Sequence, residues 1–161
     1  MSAQWWAIAL AVAGGLVLLV VVLRHVVVPK LSKPPANLGL GPGGKLAPCP
    51  KSPNCVSTQA DPSDRVHYFP PVALELPLEE ARRRVLAALR SLPGETRVER
   101  DDGNYLHATS RSPFWRFVDD VEVYFDVEAK LVHFRSASRL GYGDFGQNRK
   151  RVARLVVALL K

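Results

Sequence analysis

The stretch Phe117-Val118-Asp119-Asp120-Val121-Glu122-Val123-Tyr124-Phe125-Asp126-Val127 carries a period of two. Val121, Val123, Phe125 and Val127 alternate with Glu122, Tyr124 and Asp126. In an extended chain, side chains two apart share a face, so this pattern predicts a strand with one apolar side. An apolar sheet face must be covered by a second layer. Working outward, Glu128-Ala129-Lys130 is short enough to close a hairpin into a second strand, Leu131 to Ser138. Upstream, the turn signal Asp101-Asp102-Gly103-Asn104 separates two further strand-like runs, Glu95 to Arg100 and Tyr105 to Ser110.

Two helices flank this block. Leu78, Ala81, Val85, Ala88, Leu89 and Leu92 recur at helical spacing until Pro93-Gly94 stops them. Near the C-terminus Val152, Leu155, Val156, Leu159 and Leu160 form one apolar stripe, with Asp144 and Gln147 at N-cap and N3 spacing. Arg65 to Val72 reads as a first strand, shortened by Pro70 and Pro71. The order is β-α-β-β-β-β-α. It predicts an α+β fold, an antiparallel sheet of about five strands with both helices on its apolar face.

The other end of the chain is of a different kind. Trp5 to Leu23 holds nineteen residues without a charged side chain. As a helix it reaches about 28 Å, close to the hydrocarbon thickness of a bilayer. It reads as a transmembrane helix over residues 5–23, with Trp5 and Trp6 suited to an interface. A cleaved signal peptide is disfavoured, because Met1 to Gln4 carries no Lys or Arg. Four Pro and four Gly between Pro29 and Gly44 make residues 24–44 a linker, with residues 45–161 a single domain. On that division, a chain cut at Gly44 is expected to stay soluble and folded. Arg24, Lys30 and Lys33 follow the span, so the positive-inside rule puts the C-terminal part in the cytoplasm. Cys49 and Cys55 pull the other way. They suit a disulfide in an oxidising compartment, and also read as two reduced thiols or a redox pair.

All charged residues follow Leu23, so the net charge of +7 belongs to the part outside the span. Beyond the bilayer itself, the charge suits lipid headgroups or another anionic ligand. Nucleic acid is a poor fit, since no RNP motif, zinc-ligand pattern or Arg-rich tail accompanies it. No protein partner is legible. Asp119, Asp120, Glu122, His107 and His133 are metal-ligating residue types, but their spacing matches no metal motif; no metal and no cofactor is expected.

Two polar, glycine-punctuated segments stand out: Phe117 to Glu122, and Arg135 to Asp144 running on to Asn148 and Arg149. With "PCPKSPNCVST" from Pro48, "FVDDVE" from Phe117 and "RSASRLGYGDFGQNRKR" from Arg135, most of Leu38 to Lys161 resembles the domain of unknown function 1499 family of bacterial and plastid proteins. The resemblance implies a domain and no mechanism. Its members carry assorted membrane or export signals, which leaves orientation open.

The candidate cluster is Asp119, Asp120, Arg135, Ser136, Ser138, Arg139, Asn148 and Arg149. One reading is a polar pocket for an anion, since guanidinium groups and helix N-termini both favour negative charge. The other is architecture, with Asp–Arg pairs between neighbouring strands. At least one such pair is expected between "FVDDVE" and "RSASR", in a register that needs unequal strands or a bulge. Two functions follow. The first is a single-pass, membrane-anchored binding or structural module of the cell envelope. The second is a membrane-tethered hydrolase acting on an anionic substrate. A cleft lined by the cluster would favour the enzyme, and mutual pairing the module.

Overall fold

The computed structural model describes residues 3–161. Helix α1, Ala3–Val22, runs on through one turn of π-helix, Leu23–Val27, into α2, Val28–Leu31. This continuous helix, Gln4–Leu31 over its apolar length, is long and apolar enough to cross a membrane, and most of its apolar residues are exposed, Val28 being buried. The first residues of the expected linker, from Arg24 to Leu31, are therefore helical.

The sheet is six-stranded and antiparallel. Its strands are β1, Cys55–Ser57; β2, Val72–Ala73; β3, Glu95–Asp101; β4, Tyr105–Arg111; β5, Val118–Asp126; and β6, Leu131–Ser138. They lie in the order β1-β6-β5-β4-β3, and β2 pairs with the other end of β6. Four strands, β3 to β6, sit where the sequence predicts them. The expected strand from Arg65 to Val72 does not form. Asp64 accepts the N–H groups of Val66 and His67 and turns the chain there, and extended pairing begins only at Val72. The short β1, next to the cysteine loop, carried too few residues for a period to be read.

Helices α3, Leu78–Arg90, and α4, Gln147–Leu160, cover one face. Val85, Leu89, Val152 and Leu155 pack there against Leu106, Val121, Val123, Phe125, Val132 and Phe134. The odd-numbered residues of β5 face this core, and so does Asp119. The cap of α4 differs from the expected one by two residues: Gly146 holds the cap position, and Asp144 reaches past it to accept the Asn148 N–H at 2.7 Å. Gly94 ends the turn after α3 at φ +90°. A Cβ there would lie 2.2 Å from the Arg111 carbonyl oxygen, so only glycine fits.

The opposite face is polar, and it is covered too. The chain from Ser32 to Ala47 returns across it as a strap. Ser32, Leu46 and Ala47 are buried. The Gly39 N–H donates to Glu122 Oε1 at 2.9 Å, and Gly44 lies against the Tyr124 ring. Gln59 holds the far end, accepting the Leu46 N–H and donating to the Gly44 carbonyl. The strap then enters a loop closed by the Cys49–Cys55 disulfide.

Candidate functional site

The strand period decides what meets what. Asp120 and Glu122 point to the strap face, as do Tyr105 and His107 of β4 and Arg135 of β6. Glu122 is fully buried. It accepts Tyr105 Oη at 2.8 Å and the Gly39 N–H on Oε1, and Arg135 Nη1 at 2.8 Å on Oε2. Asp120, 1% exposed, accepts His107 Nε2 at 2.8 Å and Arg139 Nη2 at 2.7 Å on Oδ1, and Arg139 Nε at 2.9 Å on Oδ2. Arg139 also donates to the Ser32 carbonyl at 3.0 Å, tying strap to network.

The expected Asp–Arg pair is thus Asp120–Arg139. No bulge is needed to make it. The β5–β6 register is continuous, with Asp120 opposite Ala137, so Arg139 reaches it along the diagonal. Glu122 stands directly opposite Arg135.

These contacts set the titration of the face. Burial pushes the Asp120 carboxyl up, but the hydrogen bonds from Arg139 and His107 outweigh it and hold the group below the ordinary carboxylate value. Burial, with the Glu122 charge beside it, raises the Tyr105 phenol. His133, further along β6, is lowered by burial and lies 3.2 Å from Thr58 Oγ1 through Nδ1.

The remaining candidates lie on the helix side of the sheet. Asp119 pairs with Arg151 Nη2 at 2.7 Å. Arg151 Nη1 donates to Ser136 Oγ and Asn148 Oδ1. Asn148, wholly buried, accepts Ser136 Oγ at 2.6 Å and donates to Ser138 Oγ and the Asn54 carbonyl. This network fastens the start of α4 to β6 and the cysteine loop. Arg149 points elsewhere and donates to the carbonyls of Val66 and Tyr68 at 2.9 Å. The sheet therefore divides the eight candidates. Asp120, Arg135 and Arg139 lie on one side; Asp119, Ser136, Ser138 and Asn148 on the other; Arg149 is at the Arg65–Tyr68 turn.

Sequence reasoning weighed Glu122 and His107 only as metal ligands, and it missed Tyr105 and Arg151; none of the four was placed in these networks. The first three were findable. Alternation places Glu122 beside Asp120's face, and pairing β4 with β5 brings Tyr105 and His107 to it. Ser32 and Gly39 left no such signal, because a segment with no period does not announce where it packs.

Chemically, Asp120 and Glu122 are both engaged on each oxygen, each accepting three hydrogen bonds. Ser136 and Ser138 are engaged by Asn148, with no histidine in the network. A groove of about 720 Å³ between α3 and α4 is lined by Arg84, Arg154, Val157 and Lys161, and by none of the candidates.

A family model described as Protein of unknown function (DUF1499) matches residues 45–159. Neither the curated proteins nor the solved structures compared with the chain yielded a match. The matched span takes in all six strands, α3, nearly all of α4 and the disulfide, so by the greater part of its length this chain belongs to the DUF1499 family.

Proposed function

We propose that the protein is a single-pass, membrane-anchored structural or binding module of the cell envelope, and that its buried ion networks are architecture. One observation carries the reading: the charged candidates are spent on one another. Asp120, Glu122, Arg135 and Arg139 pair beneath the strap, where a substrate would have to displace peptide that is already bound. The helix Gln4–Leu31 supports the anchor. Arg24, Lys30 and Lys33 favour a cytoplasmic domain. The Cys49–Cys55 bond weighs more heavily, because such bonds do not persist among cytosolic reductants, and it favours an oxidising compartment.

The test compares the full chain with Asp120→Ala and Asp120→Asn in detergent, by melting temperature and by hydrolysis of p-nitrophenyl phosphate and p-nitrophenyl acetate. The expected result is a lowered melting temperature for Asp120→Ala and no hydrolysis by any form. Hydrolysis by the parent chain, abolished in Asp120→Asn at an unchanged melting temperature, would replace the module with the enzyme.

A further inference from the structure

The long helix does not leave the domain as a free tether. Arg24 directly follows the uninterrupted apolar run. Its Nη2 donates to the Pro113 carbonyl at 3.4 Å, and its guanidinium lies over the Phe114 ring, 5.9 Å from the centroid. Those two residues belong to the β4–β5 loop, residues 112–117, which reads Ser-Pro-Phe-Trp-Arg-Phe.

Three rings of this loop face outward: Phe114 is 57% exposed, Trp115 40% and Phe117 40%. The backbone beneath them is fixed. The Ser112 N–H donates to the Phe117 carbonyl at 2.8 Å, the Phe117 N–H to Ser112 Oγ at 3.0 Å, and the Arg116 N–H to the Ser112 carbonyl at 3.1 Å. Arg116 adopts φ +61°, a conformation side-chain-bearing residues rarely take, so the loop is held against local preference. Phe114 and Trp115 meet edge to face at 4.9 Å. A braced loop that presents a cluster of aromatic rings to the outside marks a contact surface.

What it contacts follows from where it is. The rings stand level with the residue at which the apolar helix first acquires charge, the depth at which a membrane-crossing helix passes from hydrocarbon to headgroups. Indole and phenyl rings collect at that depth, where Arg24 also brings a positive charge to the anionic headgroups. We infer that the 113–117 loop lies in the interfacial layer of the same bilayer that the helix crosses. There it forms a second, non-covalent contact that sets the tilt of the domain. The inference rests on the membrane-anchored reading and adds to it a surface of the globular part.

The chain has three Trp. Trp5→Phe with Trp6→Phe leaves Trp115 as the only indole, and the full-length variant is reconstituted in phosphatidylcholine–phosphatidylglycerol vesicles. The phospholipids carry bromine either near the headgroup or near the acyl-chain ends. The expected result is strong quenching of Trp115 by the shallow bromines and weak quenching by the deep ones. Adding Phe114→Ser and Phe117→Ser should lose that quenching while the chain still sediments with the vesicles after carbonate washing. A chain that sediments but leaves Trp115 unquenched overturns this inference alone and assigns the rings to a protein surface. A chain washed off by carbonate overturns the membrane reading as well.

Discussion

Glu122 is the most deeply buried carboxylate of the polar face. Its carboxyl group is fully buried, and its oxygens accept from a phenol, a guanidinium and a backbone amide. Removing one partner of such an arrangement costs about 3–5 kcal/mol, against about 0–1 kcal/mol for an exposed pair. Glu122→Ala and Asp120→Ala should each lower the denaturation free energy by several kcal/mol, measured by urea titration of the full chain in detergent. Two groups also give stability a pH dependence. Burial lowers His133 below the ordinary imidazole value of 6.5, so the unfolded chain takes up that proton first and stability falls as pH drops below about 6.5. Asp120 is held below the ordinary carboxylate value of 3.8; its contribution is complete above that pH and is lost as pH falls through the depressed value. Urea midpoints should decline in two steps between pH 7.5 and pH 2.5, and His133→Gln should remove the upper one.

At the scale of elements, glycine and the strap offer the sharper tests. Gly94→Ala combines a positive φ with a clash against the Arg111 carbonyl, and should cost more than about 1 kcal/mol, read from the shift in thermal midpoint. The strap bears on where the chain can be cut. A chain beginning at Lys45 strips the Gly39 amide from Glu122 and the Ser32 carbonyl from Arg139. One beginning at Pro29 keeps both and should melt at the higher temperature; equal melting would show that the strap contributes nothing. The same elements explain what could be read beforehand. Val121 to Val127 and the stripe of α4 bury one face each, and burial on one side writes a period into sequence. The strap buries backbone amides and carbonyls, which are the same in every residue, so Pro29 to Gly44 looked like a spacer. Arg149 belongs to the expected cluster as a guanidinium at the start of the last helix, yet adjacent helical residues diverge by about 100°, and it serves the Arg65–Tyr68 turn instead.

For the whole molecule, the helix and the disulfide predict behaviour in the cell. Deleting residues 5–23 should move the protein from the membrane pellet to the soluble fraction. In intact cells an impermeant thiol reagent should label Cys49 and Cys55 only after reduction; labelling without reductant would show free thiols and remove the case for an oxidising compartment. The strap connects these two features in series. On the membrane-anchored reading, the covalent path from the bilayer to the globular part runs along residues 32–47, held to the polar face at Gly39, Ser32 and Gln59. Under tension the strap would detach from its helix end inward and expose Asp120 and Glu122 to water. The detachment would halt at Cys49, because there the load passes through a covalent bond to Cys55 at the head of β1. Force on the anchor would thus open the charged face while the sheet behind it stayed intact.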